Sequence, residues 1–207
     1  MDDLFVTGYS SIKNGIAAVA GEVVFKNDSY NPSVFLKELY LFLGTDYPKF
    51  YKMDTQSQLG IMAAQLMFNK QSFSENYKEE SMGIVLSNAA ASEDTDRKYL
   101  TTLDKADYFP SPSLFVYTLP NIAGGELCIR YKIKGENNFF ITETFDADLL
   151  CQNIAYLMKY TTTNACISGW VNCNKEKLDA FLFIVEKVQG SYNLPLKPEV
   201  LNELYFN

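Results

Sequence analysis

Apolar and polar positions along this chain follow two rhythms, one close to two residues and one close to three and a half. Leu4 to Gly8 is a short apolar run closed by glycine, the pattern of a buried strand that ends in a turn. Ile16 to Phe25 is apolar and partly β-branched but broken at Gly21, which suits a strand or an irregular hairpin. From Pro32 to Leu43 the spacing changes. Phe35, Leu36, Leu39, Tyr40 and Leu43 fall on one helical face, with Pro32 near the first turn. Asp46 to Phe50 is a connection. Asp54 then stands where a helix N-cap belongs, ahead of Leu59, Met62, Ala63, Leu66 and Met67 at helical spacing.

Further along, Ser72 to Glu80 is polar and loop-like, and Met82 to Leu86 is a short apolar strand. A polar helix is expected from about Ser92 to Leu103, and Ser111-Pro112 opens a helical region that continues to Ile133. Asn138 to Thr142 reads as a strand, after which Asp146 caps a helix to about Tyr160. Ala165 to Cys173 and Leu178 to Val188 are strand-like runs. Asn174-Lys175-Glu176-Lys177 between them is turn chemistry for an antiparallel pair. This alternation predicts an α/β fold in one domain, residues 1–190, with residues 191–207 as an arm or tail containing two prolines.

Composition leaves that picture standing. The 207 residues are 47% hydrophobic and 21% charged, the balance of an ordinary globular chain with one substantial core. No run reaches the roughly 18 apolar residues of a membrane span. The start, Met-Asp-Asp-Leu-Phe-Val-Thr-Gly, is acidic and unlike a secretory leader, so the expected location is the cytoplasm. A net charge of −7 argues against nucleic acid and against anionic membranes. An acidic acyl carrier protein would need a local basic patch to dock, and none stands out.

Chemistry is limited by what is absent. The chain has no histidine, which removes Cys-His, Ser-His-Asp and His-ligated metal chemistry within it. Cys128, Cys151, Cys166 and Cys173 lie in or beside apolar stretches without a Cys-x-x-Cys, so buried reduced thiols are expected and no metal site or cofactor is implied. Carboxylate, lysine or tyrosine catalysis stays open.

Several segments taken in order resemble the β-ketoacyl synthases of the thiolase superfamily. Phe5-Val6-Thr7-Gly8 is similar to that family's opening strand and turn. Met53-Asp54-Thr55-Gln56-Ser57-Gln58-Leu59 resembles its "MDR-x-SQLAL" helix start, and Gly83-Ile84-Val85-Leu86-Ser87-Asn88 its next strand and loop. Ser111-Pro112-Ser113-Leu114-Phe115 leading to Leu119-Pro120-Asn121-Ile122-Ala123-Gly124-Gly125 resembles "SP-x-x-F…N-x-A-x-G", followed by Ile133-Lys134-Gly135. The resemblance covers residues 4 to about 188 and is nearest to short synthase-like proteins of aryl-polyene and related pigment pathways. It implies a thiolase-like half domain: a mixed sheet with helices on both faces and a C-terminal antiparallel strand pair. Read as residues alone, Gly124 and Gly125 serve tight helix packing, and Asn121 satisfies backbone groups.

By the same resemblance, the family's nucleophilic cysteine falls at about Thr144, within Thr142-Glu143-Thr144-Phe145-Asp146. A threonine forms no low-pKa thiolate and needs a neighbouring base, while Glu143 and Asp146 beside a helix start are expected to stay ionised. Thr144 is therefore expected to be inactive. Cys151, about two turns along the next helix, is expected in the core. Any binding role would fall to Thr144, Glu143, Phe145 and Asn121. The synthases' decarboxylating histidines belong to a second half that has no counterpart here.

That next helix carries Leu149, Leu150, Cys151, Ile154, Leu157 and Met158 against a polar stripe of Asp148, Gln152 and Lys159. A lone half is expected to leave one apolar side open, which points to a homodimer or to a heteromer with a ketoacyl synthase. Burial by the chain's own sheet and C-terminal arm is the alternative. Three functions follow from these readings. The first is a non-catalytic synthase-like accessory protein in a fatty-acid or polyketide-type pathway, partnering a synthase or acyl carrier protein. The others are a small acyl-transferring or hydrolytic enzyme with a non-cysteine nucleophile, and a scaffold that only inherited the fold.

Overall fold

The computed structural model describes residues 4–27, 31–68, 76–103, 109–174, 177–187 and 192–207. Strand β1 (Phe5–Lys13) runs through Gly8 instead of ending there, and a register shift at Val6/Gly8 absorbs one extra residue. The glycine read as a terminator marks a bulge. Strands β2 (Ile16–Val19) and β3 (Glu22–Lys26) form the hairpin expected around Gly21, with Ala20 and Gly21 both at positive φ.

Helix α1 (Pro32–Phe42) starts at Asn31, whose side chain accepts from the Ser33 and Val34 amides. It buries Phe35, Leu36, Leu39 and Tyr40 as the spacing requires. A 3₁₀ turn at Pro48–Lys52 leads to α2 (Thr55–Phe68). Next come β4 (Met82–Asn88) and α3 (Glu93–Leu100). The helical region opened by Ser111 is two helices, α4 (Pro112–Val116) and α5 (Ile122–Tyr131), because Pro120 cannot continue the first one. β5 (Asn137–Ile141), α6 (Ala147–Tyr160), β6 (Ala165–Cys173) and β7 (Leu178–Glu186) follow within a few residues of their expected limits. Parts of the expected 72–80 loop, of the Asn174–Lys177 turn and of the tail's start, together with Val188, lie outside the described residues.

The tail itself is structured. Residues 192–207 supply β8 (Leu194–Pro195), which pairs with β1, and α7 (Pro198–Phe206), with Pro198 in its first turn. Proline there signals a helix start, not an arm.

All eight strands form one mixed sheet in the order β3-β2-β1-β7-β6-β4-β5, with β8 beside β1. β4 is parallel to β5 and β6, and β6 to β7 is the antiparallel pair expected near the C-terminus. Alternation along β7 divides the core. Ala180, Leu182 and Ile184 join a cluster with α1, α2 and α5, while Phe181, Phe183 and Val185 join another with α6 and α7. Helices thus cover both faces. Each fully buried large apolar side chain contributes about 1.5–3 kcal/mol. Two buried hydroxyls on the strands are satisfied internally: Ser10 donates to the Ala63 carbonyl and Ser168 to that of Val85, both at 2.7 Å.

Two positions are set by local physics. Gly169 has φ +146, and a Cβ there would overlap the Phe181 carbonyl oxygen of the neighbouring strand. Asp54 caps α2, as its place before the helix requires. Its Oδ1 accepts the Ser57 amide at 3.0 Å and its Oδ2 accepts the Thr95 hydroxyl at 3.2 Å, tying α3 to the start of α2. Burial raises its pKa above the ordinary carboxylate value, against the opposing pull of its hydrogen bonds and Lys98.

Gly169→Ala is expected to cost about 3 kcal/mol or more in urea unfolding, through strain and collision. Gly125→Ala, where nothing lies within 4 Å of the new methyl, is expected to be neutral or to stabilise α5 by about 0.5–1 kcal/mol. The open space at Gly125 also means that it does not serve close packing. Gly124 does, against Asn137.

Asp54→Asn keeps an acceptor for the cap. A raised carboxyl pKa means that the native state holds its proton more tightly than the unfolded chain, so the parent loses stability as pH rises through the carboxylate range. The variant minus parent stability difference should therefore increase from about pH 3 to about pH 7. Urea unfolding of both across that range measures it, and a difference that shrinks with pH would refute the assignment.

Candidate functional site at the β5 to α6 junction

β5 leaves the sheet through Thr142, whose amide donates to the Asn88 carbonyl at 2.9 Å. The Thr142 hydroxyl then donates to the Thr144 carbonyl at 2.9 Å, turning the chain toward α6. Asp146 caps that helix, its Oδ1 accepting the Leu149 amide at 2.9 Å. Thr144 thus stands two residues before the cap. The free amide of the first turn is answered by the Asp146 carboxylate and not by the threonine. Glu143 and Thr144 are both exposed. Thr144 therefore lies outside the first turn of α6.

Phe145 is buried. Its ring stacks on Tyr205 with centroids 4.3 Å apart and meets Trp170 and Phe181 edge-on. Asn121 is exposed at the start of α5, and its side chain makes no capping bond. α5 packs in the first cluster and α6 in the second, so the helices that follow Asn121 and Thr144 lie on opposite faces of the sheet. The structure gathers Glu143, Thr144 and Phe145 by chain continuity and leaves Asn121 apart from them.

Every thiol is held protonated. Burial raises the Cys128 pKa and pushes Cys151, Cys166 and Cys173 up to about 12, with Asp148 and Glu199 adding repulsion at Cys151. All four cysteines are free. A small polar crevice elsewhere is lined by Asp54, Gln56, Ser92, Thr95 and Cys173, and there the Ser92 hydroxyl donates to the Thr118 carbonyl at 2.7 Å. The Asp54 carboxyl and the hydroxyls are engaged in holding α2, α3 and the segment before α5, and the other two carboxyls that line it, Glu93 and Asp94, pair with Arg97 and Lys98. Among the described residues no cluster of His, Cys, Asp or Glu could hold a metal ion.

The junction's distinctive feature is an edge. β5 closes one side of the sheet, and its five residues, Asn137-Asn138-Phe139-Phe140-Ile141, carry no charge, proline or bulge. The opposite edge, β3, is flanked by Glu22 and Lys26, the usual protection against strand addition. Glu136 O and Thr142 N face β4. The ladder's alternation therefore turns the amides of Asn137, Phe139 and Ile141 outward. Ile141 is 60% exposed at the end of this edge, directly before the loop to α6.

α6 does not leave an apolar side open. Leu150, Cys151, Ile154, Leu157 and Met158 are buried against the sheet and α7, and its outward residues include Asp148, Gln152, Tyr156, Lys159 and Tyr160. The chain's own sheet and C-terminal helix supply the cover. Periodicity showed how apolar this helix is but not what lay on it, because α7 comes from 38 residues beyond its end. The open edge was hidden for a similar reason, since edge position is a property of strand order and not of the strand's own residues. No helix among the described residues is long and apolar enough to cross a membrane.

The sequence matches no family model and no curated protein. Solved structures do resemble it. The ishigamide ketosynthase/chain length factor aligns at TM-score 0.65 and 15% identity, over 93% of this chain and 64% of that one. A type II polyketide-synthase acyl-carrier protein in complex with its ketosynthase bound to the hexaketide gives 0.58 and 16%, over 90% and 63%. The complex of the ketosynthase ApeO with its chain length factor ApeC, from Xenorhabdus doucetiae, gives 0.61 and 14%, over 99% of this chain and 90% of that one. The chain thus spans less than two thirds of the first two. At such identities the likeness is one of fold, and it agrees with the strand order and two-sided helix layers: the chain folds as a thiolase-like, β-ketoacyl-synthase-like half-domain.

Proposed function

We propose that this chain is a partner subunit of a ketosynthase, without condensing chemistry of its own, in a polyketide or fatty-acid type of pathway such as aryl-polyene assembly. One observation carries the reading. The uncharged, open β5 edge leads straight into the loop where a synthase would hold its nucleophile, and that loop presents exposed Thr144 beside a capped helix. Such an edge is built to receive a strand, while the residues after it offer no thiolate.

The similar structures support this choice of partner, since two of them are described by a ketosynthase together with a chain length factor. One of the matched chains is covered over 90% of its length, so a chain of comparable extent takes part in such a complex. An acyl carrier protein is the further partner, and it meets the assembled complex instead of this chain alone. A net charge of −7 repels an acidic carrier and leaves its docking to the synthase subunit. The complex works in the cytoplasm.

Co-expression with a ketosynthase of the same pathway, followed by light scattering on the eluted complex, should give a one-to-one heteromer. Ile141→Lys places a charge on the edge while leaving the core untouched. It should weaken the complex by at least about tenfold, with the unfolding midpoint of the isolated chain unchanged. Failure of the parent to associate would remove the reading, and parental affinity in the variant would remove the β5 edge from it.

A further inference from the structure

Residues 192–207 are held on the second face of the sheet at three places. Leu194 and Pro195 pair with Val6 and Phe5, and the Leu196 amide donates to the Leu4 carbonyl at 2.8 Å. Leu201 of α7 is fully buried in the second cluster. Tyr205 then enters a socket made by residues far from it in the chain. Its ring stacks on Phe145, and the Lys13 ammonium sits 3.3 Å from the ring centroid. Its hydroxyl donates to Asp179 Oδ2 at 2.6 Å, an oxygen that also accepts the Trp170 indole N–H at 3.1 Å. Lys13 donates to the Tyr205 carbonyl and stands 3.8 Å from Asp179 Oδ1.

Between these places the attachment is thin. Leu201 is the only buried residue from 192 to 207, whereas all seven residues of β4 are buried. β8 is a two-residue bridge. The surface beneath is aromatic: Tyr192 meets Tyr9 at 5.5 Å, and Tyr205 meets Phe145 and Phe181 at 4.3 and 5.9 Å. Tyr192, Leu194, Leu196, Leu204 and Tyr205 also pack on the second cluster, but each stays half-buried. A segment with a single fully buried side chain and a minimal bridge opens at lower cost than the doubly covered strands under it.

We infer that residues 192–207 form a strap that opens locally, with Tyr205 as its latch. Closed, the strap covers the Phe145 ring and leaves Glu143 and Thr144 beside it exposed. Open, it presents an aromatic floor of Tyr9, Phe145 and Phe181 next to those two residues, a surface for an apolar group and not for a charged one. The latch also explains why a half-fold covers its own helix layer: the socket joins β1, β7, the β5 to α6 loop and the C-terminal helix in one contact set. This inference rests on the chain's own contacts and is independent of the ketosynthase reading.

Hydrogen exchange followed by mass spectrometry on the full chain tests it. Amides of residues 194–206 should exchange at least about tenfold faster than those of β6 and β7. Tyr205→Phe, which loses only the Asp179 bond, should accelerate the strap severalfold. Tyr205→Ala should accelerate it by roughly tenfold or more, together with the first turn of α6, while β4 and β6 stay unchanged. Strap amides as slow as β6 and β7 in the parent would overturn the inference. So would variants without effect, or variants that accelerate every element alike. Should Tyr205→Ala fail to fold, Tyr205→Phe carries the test. Failure of both would make Tyr205 part of the global core and refute local opening.

Discussion

The adjacent strands β6 and β7 sit at the middle of the sheet with nearly every residue buried, and so both of their faces must be covered. Their alternation divides the side chains between two layers, with Ala180, Leu182 and Ile184 in one and Phe181, Phe183 and Val185 in the other. Register between them is fixed at Gly169, where only a glycine lets the Phe181 carbonyl approach. A slip of one residue would exchange the side chains of the two layers. α2 and α5 answer the first face, and α6 with α7 answers the second.

That requirement explains how a chain spanning less than two thirds of its first two structural neighbours stays covered. The second face needs something on α6, and the C-terminal segment provides it through Leu201 and Tyr205. What remains open is lateral. β5 ends the sheet with outward amides and no charge among its own residues.

Much of this was legible in the residues. Caps at Asp54 and Asp146 sit at the helix starts that their side chains predict, because capping is a contact within three residues. The β6–β7 pair announced itself through two apolar runs and a polar turn. Gly8 misled because glycine marks bulges as readily as turns, and the choice was made by β7, which lies 170 or more residues away. The tail misled because its two prolines outweighed the few apolar positions of α7, although Pro198 stands where a helix begins. At the site, the Asp146 cap that starts α6 two residues after Thr144 was legible from the chain. The burial of Phe145 under Tyr205 was not, since it depends on an aromatic residue 60 positions downstream.

The central claim is that the β5 edge receives a ketosynthase strand. Residue-resolved hydrogen exchange of the Phe139 and Ile141 amides, in the isolated chain and in its complex with the ketosynthase, tests it most directly. Both amides face away from β4, so pairing with a partner strand should slow their exchange by at least about tenfold. A complex that forms while these two amides exchange as fast as in the free chain would contradict the account.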